Sequence, residues 1–257
     1  MGKTAVIFTC SHADPEASNE RFSWLGEFLY DLKPDYVVDL GDGADMRSLN
    51  SYDTRYPSQI VNQSYEKDIE WYNDAQERLR WKFKKNKRKK PTWYGLEGNH
   101  ENRIKKAIAH DPRLEGSTHG ISFSHLQTDH WFDEYTEYEN SAPGILDLDG
   151  VSYAHYFSSG NYGSAISGLH HAYTLLQHRN HSSTCGHSHK RSIYFKDSAH
   201  PQGIIGLVAG CFKGKDEAWA GQSNREWWRG VVVKRGIDNG LYEPEFISMD
   251  TLEREYG

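Results

Sequence analysis

Short apolar runs alternate with amphipathic segments in the first part of the chain. Residues 4–9 and 35–40 are apolar runs of strand length, and such runs are typical of strands buried on both faces. Between them, residues 18–33 place apolar side chains at helical spacing on one face, and Pro34 ends the pattern. A strand, a helix and a second strand predict a βαβ unit, and therefore an α/β fold that begins with a parallel sheet.

The alternation continues after one long interruption. Residues 46–92 form an insertion in which Ser64 can cap a helix that ends in a lysine-rich run. After a strand at 92–97, we expect a helix that begins near His100 and an irregular connection over 111–143. The remaining predicted elements are a hairpin of 145–148 and 151–156 with its turn at Asp149-Gly150, a helix that ends near residue 177, and strands at 182–185, 204–209 and 231–233.

Side chains that can bind a metal stand directly after four of the predicted strands. The four segments are Phe8-Thr9-Cys10-Ser11-His12, Val37-Val38-Asp39-Leu40-Gly41-Asp42-Gly43-Ala44-Asp45, Leu96-Glu97-Gly98-Asn99-His100-Glu101 and Thr184-Cys185-Gly186-His187-Ser188-His189. In the second segment, the glycines on both sides of Asp42 allow the backbone to turn sharply and keep bulk away from a bound ion. We therefore expect the four segments to converge on one metal centre.

Five short motifs follow one another along the chain. They are Cys10-Ser11-His12, Gly41-Asp42-Gly43-Ala44-Asp45, Gly98-Asn99-His100-Glu101, the lone His155 and Gly186-His187-Ser188-His189. In this order they resemble the motifs of the calcineurin-like metallophosphoesterase superfamily, of the phage and bacterial type, over roughly residues 4–212. The resemblance implies a four-layer α/β/β/α sandwich with two mixed sheets. The strand pattern alone indicates only an α/β fold with a parallel start.

The resemblance also implies two divalent metal ions, Mn²⁺, Zn²⁺ or Fe²⁺, with a hydroxide between them that attacks a phosphate ester in line. By similarity, Asp42 bridges the two ions. The remaining ligands are Cys10, His12 and His189 at one ion, and Asn99, His155 and His187 at the other.

Four further residues receive roles from the same resemblance. His100 is the expected catalytic residue, which hydrogen-bonds or protonates the leaving oxygen. Glu101 or Asp45 would orient that imidazole or a metal ligand, although Asp45 could equally cap a helix. Arg103 is a candidate phosphate contact, and the alternative is an exposed helix pair with Glu101.

Cys10 departs from the superfamily pattern, which normally has Asp at this position. A thiolate is a softer ligand and favours Zn²⁺ or Fe²⁺ over Mg²⁺. The lariat-debranching branch of the superfamily also carries Cys here, so activity is compatible with the change. Whether one ion or two is bound stays open at this point, and Cys10 could also be a small buried residue.

Length and composition indicate the number of domains and the cellular compartment. The chain has 257 residues, a net charge of −6 and three widely spaced cysteines, a length that suits a single domain over residues 1–257. The cysteines indicate a reducing compartment. With no apolar run of membrane-spanning length, we expect a cytoplasmic protein without a membrane partner, which includes a phage-encoded protein in a host cytoplasm. The oligomeric state is not indicated.

The function predicted from these features is metal-dependent hydrolysis of a phosphodiester or phosphomonoester, on nucleotides or nucleic acid. Nucleic acid could contact the run from Lys82 to Lys90, which is otherwise a solvated helix end. Two alternatives stay open: a phosphatase that acts on phosphoproteins or small metabolites, and a non-catalytic binding module that has the fold but lacks a metal.

Overall fold

A computed structural model describes residues 2–50, 63–85, 89–139, 141–160, 163–197 and 203–257. The strands in these ranges are β1 (Lys3–Phe8), β2 (Tyr36–Asp39), β3 (Thr92–Leu96), β4 (Glu134–Thr136), β5 (Leu146–Leu148), β6 (Val151–Ala154), β7 (Ser158–Ser159), β8 (Ser164–Ala165), β9 (Ser183–Cys185), β10 (Arg191–Lys196), β11 (Ile204–Ala209), β12 (Gly230–Asp238) and β13 (Leu241–Ser248). The helices are α1 (Glu20–Leu32), α2 (Tyr65–Lys85), α3 (Asn102–His110), α4 (Thr128–Trp131), α5 (His171–Arg179) and α6 (Met249–Tyr256).

The first sheet has the strand order β13-β12-β1-β2-β3-β4 in the described part of the chain. Strands β1 to β4 run parallel to one another, as the βαβ opening predicts. β12 and β13 extend the sheet in antiparallel fashion on the other side of β1. The carboxyl ends of β1, β2 and β3 therefore lie at one edge of a mixed sheet.

The second sheet has the strand order β10-β11-β9-β6-β5. β11, β9 and β6 are parallel, whereas β10 and β5 are antiparallel edge strands. The sheet is therefore mixed as well, and the carboxyl ends of β6 and β9 lie side by side.

Alternate residues of the strands separate two buried cores, because successive side chains of a strand point to opposite faces. One face of the first sheet packs against α1 and α2, and its opposite face packs against the second sheet. The outer face of the second sheet packs against α5. The order is helices, sheet, sheet, helix, which confirms the predicted four-layer α/β/β/α sandwich with two mixed sheets.

Helix α2, within the predicted insertion of residues 46–92, is part of the outer helical layer. Its Tyr72, Leu79 and Phe83 are buried in the same core as Phe22 and Leu29 of α1. Residues 51–62 of the insertion and residues 86–88 of the lysine-rich run lie outside the described residues. No helix in the described ranges combines the length and the apolar character that crossing a membrane requires.

Several elements differ from the sequence expectation. The connection over 111–143, predicted to be irregular, contains α4 and contributes β4 to the first sheet. β10 and β13 were not predicted, because each is a sheet edge with many exposed positions and lacks a continuous apolar run. Helix α6 follows β13 directly, and Ser248 caps it by accepting the amide of Thr251.

Candidate metal centre

The ends of five parallel strands place the candidate residues together. Cys10 follows β1, Asp42 follows β2, Asn99 follows β3, His155 follows β6, and the two histidines of the last motif follow β9. Backbone hydrogen bonds join these loops: the amide of Cys10 donates to Gly41 O at 2.9 Å, and the amide of Gly186 donates to His155 O at 2.9 Å. All seven predicted ligands therefore belong to one connected group of loops that spans both sheets.

Five of the seven predicted ligands have left-handed backbone conformations. Their φ angles are 48° at Cys10, 44° at His12, 55° at Asp42, 65° at His187 and 60° at His189. Residues other than glycine seldom adopt this region, and such strain concentrates at functional sites. The conformations turn each side chain away from its strand direction and into the shared pocket.

Two glycines allow the β2 and β3 loops to approach each other closely. Gly41 has φ 93°, and a Cβ at this position would overlap the backbone nitrogen of Gly98. A Cβ on Gly98 would overlap the backbone nitrogen and the carboxylate of Asp42. Both positions therefore require glycine if Asp42 is to keep its place.

Cys10, His12 and His189 form the first candidate ligand group. One ligand atom of each lies within 4.8 Å of the others, and Nε2 of His12 is 3.2 Å from Nε2 of His189. His12 donates from Nδ1 to Asp45 Oδ1 at 2.7 Å, which leaves the Nε2 lone pair directed at the pocket.

The second candidate ligand group surrounds His155. Its Nε2 lies 3.0 Å from Asn99 Oδ1, 3.2 Å from His187 Nδ1 and 3.1 Å from Asp42 Oδ2. Nδ1 of His155 donates to the carbonyl oxygen of Leu40 at 2.9 Å. This bond fixes the tautomer in which Nε2 carries a lone pair, the form that binds metals.

The donor chemistry fits divalent cations at both groups. Around Nε2 of His155, the Asp42 carboxylate and the Asn99 amide oxygen are acceptors that lie close to another acceptor, the ring nitrogen. A cation between these atoms would make the arrangement favourable. Asp42 also belongs to a group with Cys10 and His155 and to one with His12 and His100. It therefore lies where a carboxylate shared by two ions would be required, and the mixed sulfur, nitrogen and oxygen set suits Zn²⁺ or Fe²⁺.

Burial determines the protonation of the ligand groups. It lowers the pKa of His187 to about 4 and that of His189 to about 3, so both rings are neutral and able to bind a metal at neutral pH. Burial, together with the charge of Asp42, raises the pKa of the Cys10 thiol well above its usual value. Metal binding at Cys10 therefore has to displace a proton.

Asp42 itself has a pKa well below its usual value. Burial on its own raises the pKa of this carboxyl group, but the neighbouring imidazoles of His155 and His100 outweigh that effect. The amide of His100 also donates to Asp42 Oδ1 at 2.9 Å. Asp42 is therefore held as a carboxylate, the form that can bridge ions.

Glu101 organises the loop backbone around Asp42. Its carboxylate accepts the amides of Asp42 at 3.1 Å, Ala44 at 2.9 Å and Gly98 at 2.9 Å. Burial and the charge of Asp42 raise the pKa of Glu101 to about 7. Glu101 contacts the backbone of a candidate ligand, whereas Asp45 contacts the imidazoles.

His100 lies at the mouth of the pocket, and its orientation is fixed from two sides. Its Nδ1 donates to the carbonyl oxygen of Asp45 at 2.7 Å and is 3.2 Å from the Asp45 carboxylate. Arg103 donates from Nη2 to His100 Nε2 at 3.2 Å and from Nη1 to the Asp45 carbonyl at 2.9 Å. Arg103 is therefore beside the predicted catalytic ring, where a phosphate oxygen could reach it.

Two further residues lie beside the pocket. Lys213 is buried, with Nζ 2.9 Å from Glu217 Oε1 and 3.8 Å from Asp45 Oδ1. Trp227 packs edge-on against His189, with 4.5 Å between ring centroids. Sequence reasoning missed Lys213, although it comes shortly after β11, so the rule that located the other strand-end residues could have found it. The adjacent pair Trp227-Trp228 is visible in the sequence, where it suggests base stacking or, more commonly, core packing.

Other polar residues support the last motif from behind. His171 is buried, with Nδ1 3.2 Å from Ser188 Oγ and Nε2 3.8 Å from Cys185 Sγ. Burial lowers the pKa of His171 to about 4. The structure places both His171 and Cys185 against the loop that carries His187 and His189.

Comparison with known proteins gives matches among solved structures alone. No protein-family model matches the chain, and no curated protein matches it. A conserved uncharacterised protein from Streptococcus pneumoniae TIGR4, described as a predicted phosphoesterase, matches with 12% identity and a TM-score of 0.36, over 97% of this chain and 91% of that one. The nuclease MPE of Pseudomonas putida matches with 14% identity and a TM-score of 0.39, over 94% and 87%.

Matches with TM-scores this low carry no conclusion about activity. The chain's own coordinates confirm the fold that the resemblance to calcineurin-like metallophosphoesterases implies, two mixed sheets between helices, and they bring Cys, His and Asp side chains together at the strand ends.

Proposed function

We propose that this chain is a metal-dependent phosphoesterase that cleaves a phosphodiester or phosphomonoester bond of nucleotides or nucleic acid. The observation that carries the proposal is the meeting of two ligand groups at Asp42, one around His12 and His189 and one around His155. Such a shared carboxylate is needed where two ions act on one phosphate. A binding module that had lost its metal would have no reason to keep both groups aligned.

In this proposal, Cys10, His12 and His189 would hold one divalent ion, Asn99, His155 and His187 would hold the other, and the carboxylate of Asp42 would be available to both. Bound ions would supply an acidified water and stabilise negative charge on the phosphoryl oxygens. The side chains at the pocket mouth do the rest of the chemistry. Cys10 is a ligand in this scheme, which favours Zn²⁺ or Fe²⁺ at the first site.

His100 acts on the leaving oxygen. The Asp45 carbonyl holds its Nδ1 proton, so Nε2 is the ring atom available to the departing group, and the imidazolium form of the ring is the one that donates a proton from Nε2 to it. Arg103, already within hydrogen-bonding distance of that nitrogen, contacts a phosphate oxygen when substrate binds. Asp45 orients His12 and His100 together, because its carboxylate lies 2.7 Å from one ring and 3.2 Å from the other.

The test is hydrolysis of bis-p-nitrophenyl phosphate, a diester, beside p-nitrophenyl phosphate, a monoester, with Mn²⁺, Zn²⁺, Fe²⁺ or Ni²⁺. We expect turnover that a chelator abolishes. The variant His100→Ala should lower kcat by about 10²- to 10⁴-fold, the usual contribution of a general acid. His110→Ala, at the exposed end of α3, is the matched control and should retain full activity.

The outcomes separate the candidate functions. Preference for the monoester would favour the phosphatase alternative over a phosphodiesterase. Absence of turnover with all four metals would favour the non-catalytic binding module and contradict the proposal.

A nucleic-acid contact through the run from Lys82 to Lys90 is a separate part of the proposal. Two of its charges already face carboxylates, since Lys82 lies 2.8 Å from Glu27 and Lys84 pairs with Glu77. The support comes from the number of cations in one short segment. Because these two are paired, we propose a weak, salt-sensitive contact rather than the main binding surface.

A further inference from the structure

A tryptophan on the rim of the metal centre is largely exposed to solvent. Trp219 has 76% of its surface accessible, and its ring is tilted by 55° against that of Trp227, at a centroid distance of 6.0 Å. Trp227 in turn packs against the imidazole of His189 at 4.5 Å. Trp227 therefore lies between the candidate metal ligand His189 and the exposed indole of Trp219, and it contacts both rings.

The segment that carries these rings is held firmly against the pocket. The amide of Trp228 donates to His189 O at 3.0 Å, and Glu226 pairs with Lys190 at 2.5 Å. Asn224 closes the turn, because its side chain accepts the amide of Glu217 at 2.9 Å and donates to Glu217 O at 2.8 Å. Trp219 is thus presented in a fixed position, which is what a binding platform requires.

The same segment is linked to the interior of the site by charge. Glu217, at its start, lies 2.9 Å from Nζ of the buried Lys213, and Lys213 approaches Asp45 at 3.8 Å. Arg225 on the same segment is exposed. The surroundings of the exposed indole are therefore polar and charged, and a molecule that combines a flat ring with a phosphate for the metal centre suits them better than an apolar peptide does.

We infer that Trp219, backed by Trp227, stacks on an unpaired nucleobase of the substrate while the adjacent phosphate occupies the metal centre. This inference rests on the proposed phosphoesterase function and specifies its substrate class as nucleoside phosphate esters and single-stranded nucleic acid. Stacking tolerates every base, because every base has a π-face. It gives a preference for substrates that carry a base without selecting a sequence.

The experiment compares two esters that share the same scissile bond and leaving group. One is the p-nitrophenyl ester of thymidine 5′-phosphate, and the other is methyl p-nitrophenyl phosphate, which has no base. The quantity measured is the kcat/KM for the thymidine ester divided by the kcat/KM for the methyl ester. Trp219→Ala should lower this ratio by about five- to 150-fold, which corresponds to ~1–3 kcal/mol for one stacked base at ~1.36 kcal/mol per factor of ten.

Two variants control the result. Trp219→Phe keeps an aromatic face and should retain most of the ratio. Phe195→Ala removes an aromatic side chain that is 52% exposed and pairs in β10 with Ile205, at the end of the second sheet opposite the metal centre. It should leave the ratio unchanged.

The inference is overturned if Trp219→Ala leaves the ratio unchanged, or if it lowers both kcat/KM values equally, since an equal loss would mean that Trp219 acts through the position of His189. Should the unaltered chain hydrolyse neither ester, the proposed function fails, but the platform is still testable. A single-stranded oligonucleotide would then bind the unaltered chain more tightly than an abasic one of equal length. Trp219→Ala would remove that difference, and an unchanged difference would overturn the inference.

Discussion

Replacement of Glu101 by alanine tests whether the pocket depends on one buried carboxylate. Glu101 accepts hydrogen bonds from three backbone amides, of Asp42, Ala44 and Gly98, at 3.1, 2.9 and 2.9 Å. Two of these amides belong to the loop after β2 and one to the loop after β3. Glu101→Ala leaves the three amides buried without an acceptor.

The magnitude follows from the count of bonds. A buried donor without a partner costs ~1–3 kcal/mol, so three of them cost about 3–9 kcal/mol before the loops relax. The removal of a carboxyl group whose pKa burial and Asp42 raise to about 7 relieves some unfavourable charge. We therefore expect a loss near ~3 kcal/mol in the free energy of unfolding, a large part of the ~5–15 kcal/mol that stabilises a domain.

Two assays are needed. Guanidinium unfolding in the presence of a chelator measures the free energy of unfolding of the metal-free chain, and calorimetric titration of the folded, metal-free chain with Zn²⁺ measures the Zn²⁺ affinity. Glu101→Ala should lower both the unfolding free energy and the Zn²⁺ affinity, because Asp42 loses the support of its own backbone. Glu101→Gln should be intermediate, since its amide oxygen can still accept but its NH₂ group faces backbone donors. Glu253→Ala, on the exposed face of α6, is the matched control. An unfolding free energy within ~0.5 kcal/mol of the unaltered chain, with unchanged Zn²⁺ affinity, would refute the reasoning.

Two further predictions concern buried groups. Cys10→Ser should lower Zn²⁺ or Fe²⁺ occupancy of the first ligand group, because a hydroxyl is a harder and weaker ligand than a thiolate; equal metal content by elemental analysis would remove Cys10 from the ligand set. Burial holds the pKa of Lys234 well below its usual value, so the unfolded state binds the proton more tightly than the folded state does. The free energy of unfolding should therefore rise with pH, by up to ~1.4 kcal/mol per pH unit, until Lys234 of the unfolded chain loses its proton. Lys234→Met should flatten that slope between pH 8 and 9 in denaturant unfolding, and an unaltered slope would show that Lys234 is not its source.

The start of the fold was predictable because its signals are local. The apolar runs that became β1 and β2 and the helical face of α1 each lie within one short stretch, and the right-handed βαβ rule then fixes a parallel sheet. β10 and β13 were not predictable in this way. Both are edge strands whose pairing depends on a partner distant in sequence, and their polar positions resemble loop sequence.

In the candidate site, too, some features follow from the local sequence and others depend on tertiary structure. The five motifs are short, and each lies at a strand end, so their convergence follows once the strands are parallel. The direction in which a side chain points depends on the turn beside it. Glu101 was expected to orient an imidazole or a metal ligand, and its carboxylate accepts loop amides, one of them the amide of the candidate ligand Asp42.

For Trp227, which reaches the site from a distant part of the chain, the local sequence does not decide between the pocket and the core. Trp227 precedes β12 and contacts His189 through an inter-sheet approach that its sequence neighbours do not indicate. Trp227 and Trp228 look alike in the sequence, yet Trp228 packs against Phe246 in the core while Trp227 faces the pocket. Neighbouring residues of an extended segment point to opposite sides, so one tryptophan faces the pocket and the other faces the core. Tertiary structure decides which of the two faces the pocket.

Backbone strain at the site explains why the pocket needs this fold around it. Five candidate ligands have left-handed backbones, and each such residue costs ~1–3 kcal/mol. Their combined cost is of the same order as the ~5–15 kcal/mol net stability of a whole domain, so the conformations persist only because the buried sheets and the loop-to-loop hydrogen bonds impose them. Because folding has already ordered these loops, a cation entering the pocket meets ligands in position, and its binding energy is not spent on arranging them.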